Sequence, residues 1–211
     1  MSQLDFIYKR HSVRKFKDVI IPQEDILEII KAATYAPSGK NMQNWHFVVV
    51  KNSTKIQEVA KIIYDKTHEI ASYTDDEDSK KNLLKFIHYH TFFKDAPVLI
   101  LIFAGPYVSA AYDILKAVGK EVEANGIAMA NSGIQNIGAA MENLLLAAAN
   151  KGYGTCWMTG PNYAAKEIQT AVNFKKEGYY LAAMTPLGVP EESELTSPPR
   201  KPLDEVLTII E

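Results

Sequence analysis

Ala96-Pro97-Val98-Leu99-Ile100-Leu101-Ile102-Phe103 is an apolar run with no polar residue at alternate positions. It is short and β-branched, which reads as a strand, and a strand without alternation must be covered on both faces. Trp45-His46-Phe47-Val48-Val49-Val50 is a second aromatic and β-branched strand. Thr155-Cys156-Trp157-Met158 and Tyr179 to Pro186 complete the expected set. The covering layers are helical. Between Pro22 and Tyr35 the residues Ile26, Leu27, Ile29, Ile30 and Ala33 form one stripe at helical spacing. The elements do not alternate regularly, which disfavours a doubly wound fold. The expectation is an α+β fold, a mixed central sheet flanked by helices, with residues 1–211 as one domain because no repeat or linker divides them.

Further helices are expected at Asp5 to Lys9, at Ala164 to Val172 and twice between Thr54 and Phe93, with an acidic, solvated break at Asp75-Asp76-Glu77-Asp78 that is either a lid or a plain loop. Ala36-Pro37-Ser38-Gly39 should end the helix before it, since proline disfavours a helical predecessor. Gly126 to Asn150 is almost free of charge and long enough to cross a bilayer, which takes roughly 20 residues. Asn131, Gln135, Asn136, Glu142 and Asn143 interrupt it, so it reads as a buried helix of a protein core. Ser197-Pro198-Pro199-Arg200-Lys201-Pro202 is an extended arm, and Val206 to Ile210 is apolar enough to need a partner surface.

The 211 residues are 47% hydrophobic and 23% charged, with a formal net charge of -2. That balance supplies no broad footprint for nucleic acid or an anionic membrane, so a small molecule is the expected partner. A single cysteine, Cys156, excludes an intrachain disulfide and points to a reducing cytoplasm. Met1 to Arg10 lacks the apolar core of a signal peptide. No Walker, GxGxxG or GxSxG pattern occurs, and His88-Tyr89-His90 has the wrong spacing for a helical metal site, so no metal is expected.

Three clusters carry possible chemistry. Arg10-His11-Ser12-Val13-Arg14-Lys15 packs guanidiniums, an imidazole and a hydroxyl into one segment suited to phosphate oxygens, although by itself it is equally a solvated basic face. Ala36-Pro37-Ser38-Gly39-Lys40-Asn41-Met42-Gln43-Asn44-Trp45 is a polar loop able to read a heteroaromatic edge, or an ordinary connection. Arg200-Lys201 places cations on the rigid arm.

In this order, and with Asn143-Leu144-Leu145-Leu146, Gly152-Tyr153-Gly154-Thr155-Cys156-Trp157 and Pro186-Leu187-Gly188-Val189-Pro190, the clusters resemble the nitroreductase family of FMN enzymes along nearly the whole chain. The resemblance implies an intertwined homodimer with two FMN sites at the subunit interface. It implies that Arg10, His11, Ser12 and Arg14 bind the flavin phosphate, ribityl chain and pyrimidine edge. Pro37, Ser38, Gly39 and Asn41, joined by Gln43, would line the flavin from the other subunit. Arg200 matches a phosphate-binding position, and Met158-Thr159-Gly160 matches the segment whose backbone approaches the reactive flavin nitrogen, with Gly160 as the residue concerned and Thr159 beside it.

The implied activity is ping-pong hydride transfer from NADH or NADPH through FMN to a nitroaromatic, quinone or similar small-molecule electron acceptor, with no side-chain nucleophile. Reductive dehalogenation, enone or aldehyde reduction, flavin breakdown and a non-catalytic FMN module are the alternatives on the same fold. Three departures stand out, the first being that Thr91-Phe92-Phe93 stands where some subgroups carry polar flavin-contacting residues before the second strand. Glu142 replaces a glutamine frequent in relatives, and Gly105 to Asn125 has no assigned counterpart.

Overall fold

The computed structural model describes residues 3–192, 196 and 198–211. The chain runs α1 (Asp5–Tyr8), α2 (Gln23–Thr34), β1 (Trp45–Val50), α3 (Ser53–Ala71), α4 (Glu77–Leu84), α5 (Ile87–Thr91) and β2 (Val98–Ala104). It continues through α6 (Ala110–Ala117), α7 (Glu121–Ala130), α8 (Ser132–Asn150), β3 (Gly154–Thr155), α9 (Ala165–Ala171) and β4 (Tyr180–Gly188). The sheet order is β1-β2-β4-β3, with every neighbouring pair antiparallel. The sheet expected to be mixed is thus antiparallel across its four strands, and among the described residues the parallel pairing is an isolated bridge of Ser12 to Thr155.

Every residue of β2 is buried, as an unalternating strand requires. Val98, Ile100, Ile102 and Ala104 face one core with Ile29 and Ala33 of α2 and Met141 and Leu144 of α8. Leu99, Leu101 and Phe103 face the other, with Ile56, Val59 and Ile63 of α3 and Ile168 of α9. The period of two along a strand divides the residues this way. Each fully buried aliphatic side chain of this size contributes about 1.5–3 kcal/mol of transfer free energy.

Four elements differ from expectation, each for a local reason. The long helix is two: Asn131 takes a left-handed φ of 42°, ends α7 and caps α8 by accepting from the Ile134 N–H at 3.3 Å. The strand at 155–158 stops after Thr155, because the Cys156 N–H bonds the Thr185 hydroxyl at 3.1 Å and the ladder resumes only as a bridge between Met158 and Met184. The acidic run starts a helix of its own, Asp76 capping α4 by accepting from the Ser79 N–H at 2.8 Å with Glu77 and Asp78 in its first turn. Gly105 to Asn125 supplies α6, capped by Ser109, and the start of α7.

Ser197 of the arm lies outside the described residues, as does Met1. Beyond Pro202 the chain makes a 3-10 turn at Leu203–Glu205 and leaves Val206, Leu207, Ile209 and Ile210 exposed. Among the described residues no helix is long and apolar enough to cross a membrane.

Candidate functional site

The first cluster is attached to the sheet edge. The Val13 N–H donates to the Thr155 carbonyl at 2.8 Å, and the Lys17 N–H to Val189 at 2.9 Å. Gly154 permits this approach, because a Cβ there would lie 2.6 Å from the Val13 side chain. Val13 is buried, so the alternation of an extended segment turns Ser12 and Arg14 outward. Arg10 is paired with Glu142 of α8 at 3.9 Å. His11, Ser12, Arg14 and Lys15 line a cleft of about 250 Å³.

Arg14 also borders a second cleft of about 190 Å³, whose walls include Trp157, Thr159, Gly160 and His90. The segment after β3 therefore brings Thr159 and Gly160, both exposed, to the same region as Arg14. Cys156 is buried here. Burial pushes its thiol up, while Arg14, a hydrogen bond from Ser12, and Arg10 oppose that shift. On the other wall His90 has its imidazole held below the usual range by burial. Its Nδ1 lies 3.1 Å from the Tyr163 hydroxyl. Asn162, in the same 3-10 helix (Gly160–Ala164), donates to the Ala182 carbonyl at 2.7 Å but leaves its buried Oδ1 without a partner.

The second cluster is held differently. The Gly39 N–H donates to Asn136 Oδ1 at 3.0 Å, and Asn136 Nδ2 in turn donates to Asn44 Oδ1 at 2.8 Å. Asn44, buried, donates onward to the carbonyls of Gly105 and Gly133, both at 3.2 Å. Within the loop the Ser38 hydroxyl accepts from the Gln43 N–H at 3.1 Å, and Gln43 Nε2 donates to Asn41 Oδ1 at 3.1 Å. Lys40, Asn41 and Gln43 all have left-handed φ, between 43° and 57°. Such conformations in non-glycine residues collect at functional sites. Pro37 is exposed at the loop entrance. Beside the loop, Lys40, Tyr107, Ser109 and Asn131 border a cavity of about 470 Å³.

Both clusters lean on α8, the loop at Asn136 and the arginine segment at Glu142, six residues or roughly 9 Å further along the helix. Among the described residues no hydrogen bond or ion pair joins Arg10, Ser12 or Arg14 to the loop of residues 38–43. Arg200 is exposed on the arm, where it donates to the Pro198 carbonyl at 3.1 Å, and it borders neither of these clefts. Sequence reading overlooked Tyr163 and Tyr107, and took Asn44 only as part of the polar loop. The pair at His88 and His90 drew attention only as metal ligands, and among the described residues no group of acidic, histidine and cysteine side chains fits a metal.

The Nitroreductase family model matches residues 7–189. A BluB-like flavoprotein from Clostridium difficile is 42% identical, with a TM-score of 0.93 and 100% of both chains covered. An iodotyrosine deiodinase of Thermotoga neapolitana is 28% identical over 206 residues, which cover 96% of this chain and 94% of that protein. A nitroreductase with bound FMN from Desulfitobacterium hafniense shares the fold at a TM-score of 0.72 and 24% identity, with 100% of both chains covered.

Proposed function

The chain belongs to the nitroreductase family, and from that premise we propose that it is a homodimeric FMN-dependent oxidoreductase that takes hydride from NADH or NADPH and delivers it to a nitroaromatic, quinone or similar electrophile. All of residues 1–211 act as one FMN-binding domain in this reading. A reducing cytoplasm suits its single cysteine.

The observation that carries the proposal is the convergence of Arg14 with the Thr159-Gly160 segment on one cleft, with His11 and Ser12 lining the adjoining one. The residues fit the group. Guanidiniums and a hydroxyl suit a phosphate and an electron-rich ring edge, and Gly160 offers backbone without a side chain. When bound, FMN supplies hydride acceptance and release. The protein would orient it: Arg10, His11, Ser12 and Arg14 would hold the anionic and pyrimidine parts, and the Gly160 backbone would face the reactive edge. Arg200 adds a cation from the arm.

Pro37, Ser38, Gly39, Asn41 and Gln43 come from the second copy in this reading, as the family resemblance implies, and among the described residues no hydrogen bond or ion pair joins their loop to Arg10, Ser12 or Arg14. Such a dimer also gives the exposed Val206 to Ile210 tail an apolar surface to cover. Arg14 places positive charge where negative charge grows on reduction, the preorganised electrostatic contribution common in such sites.

The test is the visible spectrum of the purified protein, followed by anaerobic NADH and, separately, NADPH. Yellow protein bleached by either supports the reading, and Arg10→Ala with Arg14→Ala should give folded dimer with FMN affinity lowered about a hundredfold. Protein that does not take up added FMN sinks it. The likeness to an iodotyrosine deiodinase favours reductive dehalogenation as the second reading. Halide release from an iodophenol by reduced protein, with no turnover of nitroaromatics or quinones, would replace the first reading with that one.

A further inference from the structure

His90 lies on α5 with its ring half-buried, and a chain of hydrogen bonds behind it decides where its proton sits. Thr67, fully buried in α3, donates its hydroxyl proton to the Ile63 carbonyl at 2.7 Å. A threonine hydroxyl has one proton. With that proton committed, Thr67 Oγ1 accepts from the Tyr163 hydroxyl, 2.5 Å away. The Tyr163 oxygen is then left to accept from His90 Nδ1 at 3.1 Å. The imidazole therefore carries its hydrogen on Nδ1, and Nε2 keeps a free lone pair.

That lone pair is turned toward the candidate site. A Cβ built on Gly160 would lie 2.5 Å from His90 Nε2, so glycine is what lets the ring sit against this backbone. Among the described residues Nε2 has no hydrogen-bond partner, although Nδ1 is tied through two further residues to the core. Burial favours the neutral ring. The titratable groups around it are Tyr163 from the 3-10 helix, Arg14 and Cys156 across the cleft, and Tyr89 on its own helix, with Phe86 stacked at 6.4 Å. Arg14 is the cationic side chain among them. An oriented, uncharged acceptor placed beside Gly160 has the chemistry to select a donor.

We propose that His90 is a ligand-binding residue of this site whose Nε2 accepts a hydrogen bond from an N–H present on the reduced, but not the oxidised, form of the heteroaromatic ring bound against Gly160. The proposal rests on the FMN reading above. It makes His90 a group that favours the reduced ring, and Tyr163 and Thr67 the residues that position it by fixing the tautomer. Protonation of Nε2 at low pH removes the acceptor.

The test uses full-length ¹⁵N-labelled protein and two-bond ¹H–¹⁵N spectra of the histidine rings, with His90 assigned by its loss in His90→Leu. The ring should show the Nδ1–H tautomer before any ligand is added, and Tyr163→Phe should mix the tautomers. The Nε2 resonance should shift when bound FMN is reduced by dithionite. By dye equilibration, His90→Leu should lower the preference for reduced over oxidised FMN about tenfold, with His90→Gln restoring part of it. FMN binding with an Nε2 resonance unmoved on reduction, or an Nε2–H tautomer in the free protein, overturns the proposal while leaving the flavin reading intact. Failure to bind FMN at all overturns both. Should His90→Leu not fold, assignment by His90→Gln keeps the resonance measurement decisive.

Discussion

The arginine segment and the Ser38–Gln43 loop are both polar stretches leaning on α8, yet opposite forces hold them. The segment is extended and borrows the sheet's hydrogen bonds, so its backbone is set by Thr155 and Val189 while Ser12 and Arg14 point outward. The loop holds three left-handed non-glycine residues and is pinned through Asn136 and the buried Asn44. The outward side chains of the first region are therefore free to change with little effect on folding. In the second, the shape of the loop and the stability of the core are one problem, since a left-handed non-glycine residue costs on the order of 1 kcal/mol and the surroundings must over-determine it.

The largest effect tests whether the two regions meet only across a dimer. Arg10→Ala/Arg14→Ala protein and Ser38→Ala/Asn41→Ala protein should each retain little FMN. After co-expression, random pairing should restore about one quarter of the wild-type flavin, since half the dimers are hybrids with one intact site each. No recovery would place both regions in the same chain's site.

Stability should separate the regions next. Asn44→Ala removes a donor shared by two carbonyls and the acceptor for Asn136, and urea denaturation should show a loss of about 2–4 kcal/mol. Arg10→Ala, which gives up a 3.9 Å pair with a Glu142 side chain 44% exposed, should cost no more than about 1 kcal/mol. Equal losses would break the contrast.

Gly39→Ala probes the loop itself. Its Cβ would lie 2.5 Å from the Tyr107 hydroxyl oxygen, so a loss of about 1–3 kcal/mol is expected. Tyr107→Phe should relieve part of it, and additive losses in the double-mutant cycle would show that the contact is not what limits residue 39.

The smallest effect is in the pH dependence. His90 and His46 both have imidazoles depressed by burial, His46 also by Lys176. The unfolded chain takes up protons first, near pH 6.5, so stability is present above that value and is lost as pH falls toward the lower folded values. His90→Gln should flatten the decline in Tm below pH 6.5, and an unchanged slope would show that His90 contributes nothing to it.

Much of this was legible in the chain. The unalternating run at β2 required cover on both faces, and the structure supplies α2 with α8 on one and α3 with α9 on the other. Asp5–Tyr8, Gln23–Thr34 and Trp45–Val50 lie where spacing and composition put them. The break at Asn131 was harder to see, because the apolar pattern continues through it and only a left-handed backbone with a side-chain cap interrupts the helix. For the candidate site, the order of the motifs pointed to the arginine segment, the loop and Gly160 as candidates. Glu142 was visible only as a departure, and His90 as a metal ligand that fails on spacing.

Local order along the chain, the alternation of apolar residues, the placement of proline and glycine and the clustering of cations, determined the elements, the layered fold and the family. Those are properties of neighbours in sequence, where backbone sterics and periodic burial act over a few residues. Tertiary structure alone decided that Glu142 faces Arg10, that Asn44 and Asn136 brace the loop and that His90 Nε2 faces Gly160. Each joins residues 70 or more positions apart, or in the case of Asn44 and Asn136, 92. Hydrogen bonding and electrostatics depend on distance in space, and no local pattern encodes which distant residues the packing of two cores will bring within a few ångströms.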